Sequence, residues 1–353
     1  MNTPRPAGIP LRPDRDLYER EQRRSLVRSI TAKALGRDDP SGLLQRTWPH
    51  DTGAETILKA AVSPTSTSSF PSITTAATLP ALAPQSASVR LFASAMQISL
   101  AGVSKVRIPY TVLTPQPGFV GEGSAAPLAQ FSLAGVDLAC KLLILSAVTG
   151  ELEAAGPEAA SVVIGRALAE ATAKSLDAAV FSTTAATAGT RPAGLLNGVT
   201  PITATAGGGL AALVADLGNL AYEIADGGLS ADDMVIITHP ETATKIRLTA
   251  SPAFANTVLG TPQVAVGTVI AVAPAGLAVA YSGVPDIETS IEAAVHFEDT
   301  SPLQIASGAQ GSGVLATPTK SAFQTNLIII KVRCRCAWAA LPEAVQFLTG
   351  ATW

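Results

Sequence analysis

From Leu248 to Pro285 the sequence carries no charged residue, and this stretch limits the folds open to the chain more than any other. A membrane-spanning helix needs roughly 20 consecutive, predominantly apolar residues. Here Pro252, Gly260, Pro262, Gly267, Pro274 and Gly276 interrupt the run, and its most apolar part, VAVGTVIAVA, is rich in β-branched side chains. Such a pattern reads as buried strands joined by turns. No membrane partner is expected. MNTPRPAGIPLRPDRD, at the N-terminal end, lacks the apolar core of a secretory signal, so the chain is expected to start in the cytoplasm.

Buried strands need cover, and so does the rest of this chain. Charged residues make up 14% and hydrophobic ones 47%, mostly Ala, Val and Leu, with a mean hydropathy of +0.34. A surface this poor in charge is most simply covered by further copies of the same chain.

Cysteine and histidine usage argues against a metal or redox centre. Cys140, Cys334 and Cys336 are an odd set that implies no disulfide framework, and His50, His239 and His296 are scattered singly. Structural zinc takes about four N or S ligands at workable spacing, and one C-x-C does not supply them. At strand period, KVRCRCAW continues an alternation. Ile328, Ile330, Val332, Cys334, Cys336 and Trp338 fall on one face, and Ile329, Lys331, Arg333 and Arg335 on the other. The cysteines thus sit where small apolar residues belong; a redox pair is the competing reading.

Charge is uneven along the chain. Residues 1–46 hold ten Lys/Arg against six Asp/Glu, and the remainder fourteen against twenty-one. DRDLYEREQRRSLVRSITAKAL (14–35) reads as a charged helix with a thin apolar stripe of Leu17, Leu26, Val27, Ile30 and Leu35, solvated or binding a partner. Its interleaved acids weaken any contact with nucleic acid. Residues 61–89 are uncharged and rich in Ser, Thr, Ala and Pro, a linker or an extended arm. VRLFASAMQISL (89–100) and KVRIPYTV (105–112), joined by AGVS, read as a β-hairpin that needs a neighbouring surface.

Strand-like sequence at 131–149 leads to the best helix of the chain, 156–182, with Pro157 and Glu158 at its start and Glu170 and Lys174 spaced as an ion pair. Its Val162, Val163, Leu168, Leu176 and Val180, among many alanines, suit packing on both sides. From about 208 to 314 the pattern alternates: helix 210–225, strand 233–239, helix 240–250, then strands. This reads as a separate α/β subdomain inserted before QTNLIIIKVRCRCAW.

Catalytic motifs are absent. GEGSAAP (121–127) and AGGGL (206–210) match neither a phosphate loop nor a dinucleotide fingerprint, and neither G-x-S-x-G nor H-E-x-x-H occurs. Asp232–Asp233 and Glu298–Asp299 read as solvated acids. No catalytic residue, metal ligand or cofactor is expected, and the chain is not expected to be an enzyme.

The run FVGEGSAAPLAQFSLAGVDLACKLLILSAVTGELEAA, the helix bearing SLDAAVF, the exit RPAGLLNGV and the closing KSAFQTNLIIIKVRCRCAWAALPEAVQFLTG together cover about half the chain. In order and spacing they resemble the major capsid proteins of tailed phages, with the Hong Kong 97-type fold. The resemblance rests on an aromatic-x-x-Glu-Gly turn at Phe119–Gly123, a strand pair followed by Glu-Leu, a long spine helix, a Pro-x-Gly exit and a basic alternating strand before a final Ala-Val strand. Phe119 departs from the family, where a tryptophan is often found.

The resemblance implies an α+β chain in five parts: an N-terminal helix and arm (1–88), an extended β-hairpin loop (89–121), a peripheral domain with the spine helix (122–200), an axial domain (201–314) and the peripheral C-terminal strands (315–353). It also implies a virion protein, assembled in the host bacterial cytoplasm as hexamers and pentamers of an icosahedral shell. That shell would enclose double-stranded DNA without reading its sequence, with a portal and scaffolding or decoration proteins as partners. Candidate inter-subunit residues are Lys105, Arg107 and Tyr110 in the hairpin, Glu122 in the turn, and Lys331, Arg333 and Arg335, which either pair with acids of a neighbour or solvate a strand face. In the family's founding member a lysine and an asparagine of different subunits are joined covalently; Lys105 has no matching asparagine and acid, so crosslinking is not expected. An encapsulin-like compartment or a gene transfer agent has the same implied fold. An exported surface or adhesion protein, and a redox enzyme using Cys334 and Cys336, are the rivals of other classes.

Overall fold

The computed structural model describes residues 13–36, 39–60, 83, 85–99, 106–111, 133–138, 141–149, 156–187, 190–249, 254–281, 286–297, 306–307, 314–315 and 317–353. In chain order these form helices α1 (Pro13–Leu35), α2 (Pro40–Thr47), α3 (Thr52–Ala60) and α4 (Ala87–Phe92), then strands β1 (Met96–Ser99), β2 (Val106–Thr111), β3 (Leu133–Leu138) and β4 (Lys141–Thr149). Helix α5 (Pro157–Val180), strand β5 (Ile202–Thr203), helix α6 (Gly209–Asp226), strand β6 (Val235–Thr238) and helix α7 (Pro240–Thr249) follow. The remaining strands are β7 (Thr257–Gly260), β8 (Val269–Val272), β9 (Leu277–Tyr281), β10 (Asp286–Ser290), β11 (Ala294–His296), β12 (Ala306–Ser307), β13 (Val314–Leu315), β14 (Thr319–Ser321), β15 (Leu327–Ala340) and β16 (Val345–Thr349).

The chain divides into two compact units, one of residues 1–85, 143–173 and 283–333, the other of residues 86–142, 174–282 and 334–353. Among the named elements, it passes from one to the other inside β4, inside α5 and inside β15.

The first unit is built on α1. Its C-terminal half is not the solvated helix its charge suggests: Leu26 and Ile30 are fully buried, and Ala32 joins Leu44, Trp48, Ala54 and Leu58 in a core shared with α2 and α3. The reason is geometric. Ala32 and Ala54 leave room for Leu44, Trp48 and Leu58 between the three helices, and Arg28 of α1 is drawn in by Asp51 at 3.0 Å. Gly165 of α5 lies under Val27, where an added Cβ would come within 2.8 Å of Val27 Cγ1. The Thr289 hydroxyl of β10 donates to the Lys33 carbonyl at 3.2 Å, tying α1 to the strand. β10 runs antiparallel to the first half of β15, with Ile287, Ile330 and Val332 buried.

The second unit holds a five-stranded sheet in the order β5-β16-β8-β6-β7. VIIT of β6 and VIAV of β8 are buried at every position, which is why they read as continuous apolar runs rather than alternating ones. β6 and β7 are parallel and α7 makes the crossover between them. Leu213, Leu217, Leu220 and Ile224 of α6 and Ala243 and Ile246 of α7 pack into one core with Ile236, Ala271 and Leu348. A second set of strands joins β1, β9 and the last part of β15, in which Cys336 lies opposite Tyr281 and Trp338 opposite Val279.

Several sequence expectations change. The strands at 89–100 and 105–112 do not pair with one another. Residues 87–92 are helical, because the Ser86 hydroxyl accepts from the Val89 amide and caps a turn; β1 then pairs in parallel with β9, and β2 pairs antiparallel with β3 from Val106↔Leu138 to Thr111↔Leu133. β16 sits between β5 and β8, beside the strands of the 201–272 segment, while residues 286–314 belong to the other unit. In α5, Val162 and Val163 are 67% and 54% exposed; this helix buries a single face, and Glu170 pairs with Arg166 at 2.8 Å rather than with Lys174.

Candidate inter-subunit surfaces

The basic strand is where sequence and structure meet most directly. Alternation along β15 buries Ile328, Ile330, Val332, Cys334 and Cys336 and leaves Lys331 and Arg333 half-buried and Arg335 exposed. Glu288 of β10 stands opposite Lys331 in the ladder. It forms ion pairs with Lys331 Nζ and with Arg333 Nη2, the latter at 2.7 Å. The hydrogen bond from Lys331 is the main cause that holds the Glu288 carboxyl below its usual range, with the Lys331, Arg333 and Lys33 charges adding to it. So two of the three strand cations first satisfy an acid of their own chain, where the sequence pattern offered only a neighbour or solvent.

Arg107 and Tyr110 lie in β2, opposite Asp137 and Ala134 of β3. Lys105, Glu122, Cys140 and the Glu298–Asp299 pair lie outside the described residues. Asp232 and Asp233 are exposed, as expected of solvated acids.

Three polar centres escaped the sequence reading. In the first unit, Asp51 caps α3: its Oδ1 accepts from Ser25 Oγ at 2.6 Å and the Ala54 amide at 2.9 Å, and its Oδ2 pairs with Arg28 at 3.0 Å. Burial works to raise the Asp51 carboxyl, but the hydrogen bonds from Ser25, Ala54 and Arg28, with the Arg28 charge, outweigh it and hold the group below its ordinary value. Arg28 also lies 5.2 Å from the Trp48 ring centroid, and Trp48 Nε1 donates to Glu158 at the start of α5.

In the second unit, Asp177 is 4% exposed and accepts five hydrogen bonds: from Ser86 Oγ (2.5 Å), Ser88 Oγ (2.7 Å), the Ala87 and Ser88 amides (3.1 and 3.0 Å) and Thr261 Oγ1 (2.8 Å). A carboxylate so fully supplied has no lone pair left for substrate. It is a structural anion that fixes the start of α4. Asp216 plays a similar part, accepting from the Thr205 amide and hydroxyl and from Trp353 Nε1.

Among the described residues no group of His, Cys, Asp and Glu is placed to hold a metal ion, and no helix is long and apolar enough to cross a membrane. Cys334 and Cys336 are each 3% exposed, packed as the core reading of the strand requires.

Comparison with known proteins gives the fold. No family model and no curated protein sequence matches the chain. Solved structures do match. A chain from Mycobacterium phage Cain superposes with a TM-score of 0.53 at 13% identity, over 74% of this chain and 90% of that one. A chain from Mycobacterium phage Adephagia gives 0.52 at 13% over 73% and 89%, and one from Microbacterium phage Oxtober96 gives 0.50 at 15% over 76% and 91%. The chain therefore shares its fold with chains of these phages.

Proposed function

We propose that the chain is the major capsid subunit of a tailed phage, assembling as hexamers and pentamers into an icosahedral shell around double-stranded DNA. The observation that carries this reading is a fold shared over about three quarters of the chain with chains of several phages. The composition supports it, since a chain with 14% charged residues and exposed Val162, Val163, Tyr222, Leu248 and Phe323 has much surface for copies to cover. Each contact between copies is modest, because translational entropy and side-chain ordering absorb much of the gross burial; many contacts per subunit then give the closed shell its stability. The acidic balance of residues 47–353 favours a container that encloses DNA without gripping it. On this reading Lys331, Arg333 and Arg335, the β2 residues Arg107 and Tyr110, and Lys105 and Glu122 contribute to subunit contacts. A portal and scaffolding or decoration proteins are the partners, and assembly takes place in the host cytoplasm.

Negative-stain electron microscopy of the purified recombinant chain, with light scattering alongside, tests the reading. Shells, or rings of five or six, are expected. A monomer at every concentration and salt tested overturns self-assembly. Shells filled with protein, or with short fragments of host DNA, move the assignment to an encapsulin-like compartment or a gene transfer agent.

A further inference from the structure

Helix α6 buries one face and leaves the other bare. Leu213, Leu217, Leu220 and Ile224 enter the core, while Leu210, Val214 and Tyr222 are 56%, 60% and 66% exposed. The exposed three lie on a single i,i+4 row whose remaining member is Gly218. A Cβ built on Gly218 meets nothing within 4 Å, so the row is an apolar ridge with an open notch between Val214 and Tyr222. A glycine inside a helix is less stable than alanine, and the packing of this unit does not require one there.

Helix α7 carries the matching projection. Leu248 is 82% exposed, more than any other large apolar side chain among the described residues. We propose that Leu248 of one copy of this chain seats in the Gly218 notch of a second copy, flanked by Val214 and Tyr222; this rests on the shell reading and names one of its contacts.

Three observations fix a second copy as the occupant. In the sheet order β5-β16-β8-β6-β7, α6 packs on β16 and α7 on β6 and β7, so ridge and projection belong to opposite ends of one layer. A different patch at each end is what a head-to-tail contact uses, and such a contact closes into a ring when its rotation closes. The charges also match. α6 has no Lys or Arg and exposes Glu223 and Asp226 beyond Tyr222, whereas α7 carries Lys245, paired with Glu241 at 3.1 Å, and Arg247, which donates to the Val258 carbonyl at 2.6 Å and leaves the end of α7 with one net positive charge. Finally, a Leu, a Val and a Tyr exposed to this degree offer on the order of 300 Å², too little for a stand-alone pair at about 800 Å² per partner and suited to a contact repeated around a shell.

The test uses the full chain with Gly218→Cys and Leu248→Cys, singly and together, assembled and then oxidised, with wild type as the control for native thiols. The double variant should give a ladder of linked chains on a denaturing gel, and each single variant none beyond the wild-type control. Alongside it, Gly218→Leu should melt no lower than wild type yet lower the assembled fraction at fixed concentration at least tenfold. Shells of the double variant without a ladder, dimers from Gly218→Cys alone, or unchanged assembly of Gly218→Leu overturn this contact while leaving the shell reading intact. A wild-type chain that never assembles removes the shell reading itself, and this contact with it.

Discussion

Asp177 and Thr261 stand 84 residues apart, and the Thr261 hydroxyl donates to Asp177 Oδ2 at 2.8 Å in the interior of the second unit. With Ser86, Ala87 and Ser88 on the same carboxylate, the pair ties together three segments that share no local sequence. Asp177→Ala strands several buried donors at once and should cost on the order of 4 kcal/mol of stability, with Asp177→Asn losing less because one acceptor oxygen remains. Urea unfolding of the unassembled chain measures both; a loss within experimental error for Asp177→Ala would show that water replaces the carboxylate.

Asp51 gives a pH dependence of known sign. Its folded carboxyl lies below the ordinary value of 3.8, so the folded chain holds its proton less tightly than the unfolded one. The resulting stability is complete above the unfolded value and disappears as pH falls through the folded value beneath it. Asp51→Asn, which can still cap α3, should therefore be less stable than wild type near neutral pH, with the gap narrowing as pH falls below the ordinary value of 3.8 and through the lower folded one. Denaturant midpoints across that range check it; a gap independent of pH would assign the loss to capping geometry instead.

Gly194 closes the loop after α5. A Cβ there would lie 2.0 Å from the Ser182 carbonyl oxygen, in a turn where the Leu196 amide donates to that oxygen and Trp338 Nε1 donates to the Ala193 carbonyl. Gly194→Ala must displace backbone and should cost about 1–3 kcal/mol, read as a lowered melting temperature. An unchanged melt would mean that the loop relaxes without cost.

The cysteines of β15 should be inert. Cys334 and Cys336 are buried, so alkylation followed by peptide mapping is expected to modify them at the rate at which the chain opens, accelerating with denaturant. Labelling of the native chain as fast as an exposed thiol would restore the redox reading.

What the sequence disclosed follows from the range of the forces involved. β15 was legible because alternation is local: every position placed on its apolar face is buried, while of those placed on the other face Lys331, Arg333 and Arg335 keep some exposure and only Ile329 is buried with the core. α5, α6, β6 and α7 were legible because Pro157 and Pro240 mark starts and the apolar spacing carries the rest. The pairing of β1 with β9 was not, because it joins residues more than 180 positions apart and MQIS suits any sheet edge. Glu288 was invisible as the partner of Lys331 and Arg333 for the same reason. Asp177 did leave a trace. It lies beside Leu176 and three positions before Val180 on the buried stripe of α5, and an acid in that position requires donors from elsewhere. Ser86-Ala-Ser88, ahead of the apolar VRLF, was the other half of that signal.

The place of β16 inside its sheet has a consequence for synthesis. Chains generally fold domain by domain as they are made, N-terminal parts first. Here β5 and β8 are translated long before Val345–Thr349, which must lie between them, and Leu348 pairs with Ile202 on one side and Val269 on the other. Until those residues leave the ribosome the sheet has a gap and its core lacks Leu348 and Trp353. A nascent or prematurely terminated chain therefore cannot present a finished second unit.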